Sequence, residues 1–156
     1  MASTGQKVKT CLWFDADAEE AAAFYTSLFE RSRITAVSRQ PGGRALVVEF
    51  ELDGVGFQAL NGGPHYRLTE ACSLSVACDS QVEIDRLWDA LLAGGGEESR
   101  CGWLKDRFGL SWQIVPRALG AMMTDPDPAR VARVVAAFMP MKKLELRALE
   151  AAFHGS

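Results

Sequence analysis

The sequence has few histidines and cysteines, the side chains that bind zinc or form cross-links. Its two histidines are His65 and His154, and its four cysteines, none of them in a C-x-x-C pair, are Cys11, Cys72, Cys78 and Cys101. This spacing argues against zinc-ribbon and dithiol redox motifs. The cysteines are therefore interpreted as reduced thiols that act as small apolar side chains in strands.

The sequence also lacks an excess of basic charge and any long apolar run. Its formal net charge is −3, with Lys and Arg interspersed among Asp and Glu, so the basic patch of a nucleic-acid-binding protein is missing. No run approaches the roughly 20 apolar residues that span a bilayer, and MASTGQKVKT has no signal-peptide core. We therefore expect a cytoplasmic protein with neither a nucleic-acid nor a membrane partner.

What the sequence does contain is a balance of 48% apolar and 24% charged residues over 156 positions, typical of one soluble domain, 1–156. Apolar periodicity and turn residues predict two tandem βαβββ modules, hence an α+β fold. The first module, about 7–63, has its helix start at Asp17. The second, about 71–116, has its helix capped by Ser80.

The two modules repeat residue by residue. Phe24-Tyr25 matches Leu87-Trp88 at an offset of 63, and GVGFQAL from Gly54 matches GLSWQIV from Gly109 at an offset of 55. Two such matches in the same element order predict a duplication. Residues 117–156 are predicted to form a C-terminal helical extension with apolar stripes at 131–138 and 146–153, which pack on the sheet or on a dimer partner.

Four segments carry a resemblance to a known superfamily: CLWFDADAEEAAAFYTSLF, FQALNGGP, CGWLKDRFGLSWQIVP and the tail from DPDP to MKK. They resemble the vicinal oxygen chelate superfamily of glyoxalases, bleomycin resistance proteins and dioxygenases. The similarity extends to its PhnB-like subgroup, labelled 3-demethylubiquinone-9 3-methyltransferase. The resemblance implies curved mixed sheets around a cleft, and a homodimer.

The resemblance also implies four positions for ligands of a divalent metal. In this sequence those positions are Thr10 and Ser73 on the first strands, and Gln58 and Gln113 on the last strands. Two hydroxyls and two amides offer neither the carboxylates nor the imidazoles that divalent cations prefer. We therefore predict that the protein uses no metal and no other cofactor.

Alternation along the strands extends this set to a predicted cleft lining. Leu12, Leu60 and Ser75 are expected to join Thr10, Gln58, Ser73 and Gln113, whereas Cys11 and Trp13 are expected to face the helix. Two interpretations stay open. The glutamines hydrogen-bond each other or water in a filled interior, or they orient a ligand in a neutral pocket.

The predicted function is metal-free binding of an uncharged or weakly polar small molecule. The alternative is an enzyme: a lyase, an isomerase or the transferase that the subgroup label implies, with no catalytic residue assigned. The triplet Lys105-Asp106-Arg107 is interpreted as solvated, or as charge at the cleft rim. No glycine-rich loop joins a strand to a helix, as the common methyltransferases require.

Overall fold

The computed structural model describes residues 5–156. The chain divides into two compact units between Leu68 and Thr69, in the loop that separates the two predicted modules. Each unit contains one four-stranded sheet and the helix of its module. The predicted α+β class with two tandem βαβββ modules is confirmed.

The first unit has the order β1, α1, β2, β3, β4. These elements are β1 (Thr10–Phe14), α1 (Ala18–Leu28), β2 (Arg33–Arg39), β3 (Ala45–Leu52) and β4 (Val55–Asn61). The strand order in the sheet is β1-β4-β3-β2, with β1 parallel to β4 and the other pairs antiparallel. The first and last strands of the module therefore lie side by side.

The core of the first unit lies between α1 and one face of its sheet. The helix buries a stripe of small and large side chains that includes Ala21, Ala22 and Tyr25. The ring centroid of Phe50 lies 6.5 Å from that of Tyr25 and 5.5 Å from that of Phe57. The alanines let the helix approach closely, and the three rings fill the space between helix and sheet.

The second unit repeats this order and adds an extension. Its elements are β5 (Ser73–Cys78), α2 (Gln81–Leu92), β6 (Glu97–Glu98), β7 (Trp103–Lys105), β8 (Ser111–Pro116), α3 (Arg117–Met123), α4 (Pro128–Phe138) and α5 (Leu146–His154). The sheet order is β5-β8-β7-β6, again with the first and last strands parallel. The buried stripe of α2 packs on the sheet through Ile84, Leu87, Trp88 and Leu91.

The two module helices begin differently. Ser80 Oγ accepts a hydrogen bond from Glu83 N at 3.2 Å, the N-cap predicted for α2. Asp17 occupies the N-cap position of α1 but its side chain makes no cap bond. Instead Asn61, the buried last residue of β4, accepts from Ala18 N at 2.9 Å and donates to Ala45 O at 2.9 Å. This side chain ties the helix start to the sheet.

The C-terminal extension forms a small core of its own. Met122, Val134, Leu144 and Leu149 are buried together, with Phe138 and Phe153 among the side chains packed around them. The helix α3 was not predicted, and the two predicted stripes cover each other to a large extent within the chain. Within residues 5–156, no helix is long and apolar enough to cross a bilayer.

Candidate functional site

Each sheet has a face that packs on its module helix and an opposite face, which we call the open face. In the first unit the parallel register pairs Cys11 with Gln58 and Leu12 with Ala59. Ala59 is buried on the helix side together with Leu12, which is 1% exposed. The prediction for Leu12 is therefore wrong, and Thr10 also lies on the helix side by strand alternation. Gln58 and Leu60 lie on the open face as predicted.

The open face of β1 carries Cys11 and Trp13 instead. The physical reason is the length of the connection between strand and helix. Two residues separate the end of β1 at Phe14 from the N-cap at Asp17, but only one separates Cys78 from Ser80. Residues at the same distance before the two helices are therefore not equivalent: the position in β1 is displaced by one residue relative to that in β5. Because side chains alternate along a strand, a displacement of one residue places the side chain on the opposite face.

In the second unit the predicted site residues lie on the open face. Ser73 pairs with Ser111 and Ser75 pairs with Gln113 across β5 and β8. Gln113 Nε2 donates a hydrogen bond to Ser73 Oγ at 3.0 Å. Ser73 and Gln113 are half-buried and Ser75 is exposed, so this polar row meets solvent.

The open face of the first unit holds a carboxylate that the sequence interpretation missed. Gln58 Nε2 donates to Glu49 Oε1 at 2.9 Å, and Lys9 Nζ lies 3.5 Å from Glu49 Oε2. The hydrogen bond from Gln58 is the main cause that lowers the pKa of Glu49 below its usual range, with a smaller contribution from Lys9. Each glutamine thus makes its hydrogen bond within its own unit.

An aromatic pair lies at the end of the same open face. Trp13 Nε1 donates to Gly63 O at 2.9 Å, and its ring meets that of Tyr66 edge-on with centroids 4.9 Å apart. A Cβ on Gly62 would lie 2.3 Å from the Trp13 ring, so only glycine fits there. The run NGG after β4 was the available signal that the backbone passes close to a large side chain.

The open face of the second unit contains a cavity of about 150 Å³. Its lining is mostly polar: Glu70, Glu97, Glu98, Ser99, Trp103, Leu104, Lys105 and Ser111. Lys105 Nζ pairs with Glu70 Oε1 at 2.5 Å. The hydrogen bond to Glu70 raises the pKa of Lys105 and lowers that of Glu70, so both are charged at neutral pH.

The triplet that contains Lys105 does not act as one solvated unit. Lys105 lines the cavity, whereas Asp106 is buried and accepts three hydrogen bonds from the final hairpin. The guanidinium carbon of Arg107 lies 4.4 Å from the centroid of the Phe108 ring. The interpretation of the triplet as solvated charge is wrong for its central residue, which has a structural role.

The cysteines are all free, but only two of them lie in strands. Cys11 is exposed in β1, and Cys78 is buried at the end of β5. Burial, assisted by the charges of Glu83 and Asp79, raises the pKa of Cys78 to about 12. Burial also raises the pKa of Cys11. Neither strand thiol is therefore an activated nucleophile.

The residues on the open faces do not fit a catalytic divalent metal. On the first strand of the first unit, the position paired with Gln58 is Cys11 rather than an imidazole or a carboxylate. The carboxylate that Gln58 contacts, that of Glu49, is also engaged by Lys9. Among residues 5–156 no group of three or more His, Cys, Asp and Glu side chains could hold a metal ion.

Two βαβββ modules, each with its first and last strands paired in parallel, define the vicinal oxygen chelate class of folds. Residues 6–115 match the family described as 3-demethylubiquinone-9 3-methyltransferase. Since this match spans more than half of the chain, the protein belongs to that family.

Solved structures show the same relationship. The PhnB protein from Bacillus cereus is 34% identical, with a TM-score of 0.67 over 71% of this chain and 99% of that one. A Pseudomonas aeruginosa protein is 22% identical, with a TM-score of 0.57 over 69% and 95% of the two chains. The fosfomycin resistance protein FosX from Listeria monocytogenes, complexed with Mn(II) and sulfate, is 14% identical, with a TM-score of 0.55 over 76% and 95%. The last two show the fold alone. No curated protein matches the sequence.

Proposed function

We propose that the protein binds a small organic molecule on the open faces of its sheets, without a divalent metal. The ligand is uncharged or weakly polar over most of its surface. The predicted lining supports this because Leu60, Ser73, Ser75 and the two glutamines are apolar, hydroxyl and amide side chains without charge. Concave sites of this composition orient small molecules through a few well-placed polar groups.

The observation that carries the proposal is the matched pair of glutamines. Gln58 and Gln113 occupy equivalent places in the two modules, each on a last strand and on the open face. Each uses Nε2 as a donor to a neighbour, Glu49 or Ser73. Within residues 5–156 neither Oε1 accepts a hydrogen bond. Each open face therefore offers one fixed carbonyl oxygen to an N–H or O–H group of a ligand.

We propose no metal because the side chains on the strands concerned are poor ligands for a divalent cation. The Listeria relative is known with Mn(II), but this chain offers Cys11 and two amides on the strands concerned, with the Lys9 ammonium close to Glu49. An ammonium beside the site repels a cation, and amide oxygens alone hold divalent ions weakly.

The transferase that the family name describes finds no support in the described residues. The strand-to-helix turns consist of Asp15-Ala16-Asp17 and Asp79-Ser80, without glycine. A glycine-rich turn at such a place is what lets the backbone approach a nucleotide-type cofactor. Lys105, the amine in the second unit's cavity, has a raised pKa and is not an activated base or nucleophile.

We also propose a homodimer, on the basis of the family resemblance. The apolar stripes of the extension no longer contribute to this proposal, since α3, α4 and α5 bury them largely against one another.

The binding proposal is tested with Ser73→Phe. The ring would stand on the open face beside Gln113 and occupy ligand volume, at the loss of one half-buried hydrogen bond. Wild type and variant are incubated with a small-metabolite extract, and native mass spectrometry reports the retained molecules. Ser27→Phe, on an exposed position of α1, is the matched control.

The proposal expects a retained ligand in wild type and control and none in Ser73→Phe, whose melting temperature falls by at most a few degrees for the lost hydrogen bond. A larger fall in the melting temperature of Ser73→Phe would indicate a filled interior, since overpacking costs about 1–3 kcal/mol. That result, together with no ligand in any sample, would refute the binding function.

A further inference from the structure

We propose that the cavity on the open face of the second unit takes a small organic amine that carries one further hydrogen-bonding group. This inference rests on the proposed binding function and adds the ligand's chemical class. It also revises the expectation of an uncharged ligand. That expectation came from the predicted hydroxyl, amide and apolar side chains, none of which is charged, whereas the cavity adds charged residues.

The charges around the cavity favour a cation. Glu97 lies directly across from Lys105 on the neighbouring strand, and Lys105 is paired with Glu70. The carboxylates of Glu97 and Glu70 and the ammonium of Lys105 together carry a net charge of minus one. In residues 5–156 Glu97 forms no ion pair, so its carboxylate is available to a positively charged ligand. Glu98 is engaged elsewhere, by Lys142 at 3.4 Å and by Trp88 Nε1 at 3.4 Å.

A second and independent observation points to a ligand group on the other side of Lys105. Ser111 pairs with Lys105 across β7 and β8, so its side chain lies on the open face, where it lines the cavity. The residue is 1% exposed, and its Oγ has no hydrogen-bond partner among residues 5–156. A buried hydroxyl without a partner is costly, so such groups in native proteins have an explanation. A polar group of a ligand supplies one.

The remaining lining suits the body of such a molecule. Trp103 lies two residues before Lys105 on β7, on the same open face, and it lines the cavity with Ser99 of the adjacent turn. An indole face accommodates hydrocarbon and attracts a nearby cation. The volume of about 150 Å³ limits the occupant to a small molecule. Its ammonium is placed near Glu97 and its second polar group near Ser111.

The experiment uses four probes of similar length: 4-aminobutan-1-ol, butylamine, butan-1-ol and butyrate. Each is titrated at neutral pH and constant ionic strength into ¹⁵N-labelled full-length protein. The readout is the shift of the Trp103 indole N–H and of the backbone N–H groups of Glu97, Lys105 and Ser111. The expected result is saturable binding of the two amines, with 4-aminobutan-1-ol the tighter and with weaker shifts from butan-1-ol and butyrate.

Three variants assign the groups. Glu97→Gln is expected to weaken both amines by up to about five-fold, the upper end for an exposed ion pair. Ser111→Ala is expected to weaken 4-aminobutan-1-ol toward the affinity of butylamine and to leave butylamine unchanged. Glu150→Gln, exposed on α5, is the control and leaves both affinities unchanged.

Two results would overturn the inference. Tighter binding of butyrate would make Lys105 the anchor of an anion site, and equal shifts from all four probes would show non-selective contact. The amine inference can also be rejected alone. If none of the four probes binds, but wild type retains a ligand that Ser73→Phe loses, the amine is rejected and the proposed binding function stands. If no probe binds and the wild type retains no ligand, both proposals are rejected.

Discussion

Asp106 Oδ2 accepts a hydrogen bond from Trp112 Nε1 at 2.9 Å, and both side chains are buried. The other carboxylate oxygen accepts from Phe108 N at 2.9 Å and from Leu110 N at 3.0 Å. One carboxylate thus satisfies three N–H groups of the final hairpin. Because Trp112 and Gln113 are neighbours on β8, the same bonds fix the strand that presents Gln113 on the open face.

We expect Asp106→Ala to destabilise the second unit by about 3 kcal/mol, because buried N–H groups would lose a charged acceptor. Asp106→Asn retains one acceptor oxygen but turns an amide N–H toward the indole, and should cost less. Urea denaturation followed by tryptophan fluorescence measures both. Asp17→Ala is the control, since that side chain makes no cap bond. Equal stability of Asp106→Ala and Asp17→Ala would contradict this role.

Gln58→Leu should raise the pKa of Glu49 toward its ordinary value, because the variant removes the hydrogen bond that chiefly lowers it. A lowered pKa in the folded state adds stability above the unfolded pKa of about 4.3, and this stability is lost as pH falls through the folded pKa. The wild type should therefore lose more stability than Gln58→Leu in that acid range. Carbon NMR of the Glu49 carboxyl measures the pKa, and an unchanged value in the variant would refute the assignment.

The thiols should differ sharply in reactivity. Cys78, whose pKa is raised to about 12, is buried, whereas Cys72 is exposed. At pH 8 a short iodoacetamide pulse on the folded protein should label Cys72 and leave Cys78 unlabelled until denaturant is added. Peptide mass mapping reports each site. Labelling of Cys78 at the rate of Cys72 would show that the end of β5 opens readily.

Manganese should bind poorly to the wild-type protein. In a titration followed by electron paramagnetic resonance, the signal of free Mn(II) should persist at one equivalent. The double variant Cys11→His, Gln58→Glu is the positive control, because it places an imidazole and a carboxylate on paired positions close to Glu49. Stoichiometric binding by the wild type would reject the metal-free proposal.

Sedimentation at micromolar concentration should show a species of twice the chain mass of 17.0 kDa. This expectation rests on the family resemblance, since the extension covers its own stripes. Phe138 and Phe153 pack in the extension's core, whereas Met139 is exposed. Replacing Met139 should therefore leave that core intact. A 17.0 kDa species alone would reject the dimer.

Much of the fold was predictable because turn residues and alternation mark its elements directly. Ser80 marks the start of α2, and Asp53-Gly54 marks the β3–β4 hairpin. The helix α3 was missed because β8 runs into it at Pro116 without a separate cap signal. Alternation within the strands assigned the glutamines and serines to one face of their sheets, and the strand register has them on that face. Thr10 and Leu12 were misplaced because a connection length, which no pattern reports, decides the face of β1.

The cavity residues were not predictable as a group. Glu70, Glu97 and Ser111 lie in three separate segments, and each is unremarkable in its own local pattern. Only the pairing of β6, β7 and β8 brings Glu97, Lys105 and Ser111 into one row. Strand pairing depends on contacts between distant parts of the chain, which composition and periodicity do not encode.

Because one extra residue separates β1 from α1, the two units have the same fold but place non-equivalent side chains of their first strands on the open face. The number of residues in the connection sets which positions of β1, counted back from the helix, lie on the helix side and which lie on the open face. Removing Ala16 would give β1 the same spacing to its helix cap as β5, but the buried Leu12 and Phe14 oppose any exchange of the strand's two faces. The length of this loop therefore relates the position of a residue in the sequence to the face it occupies, and the shorter loop before α2 gives a different set of positions on β5.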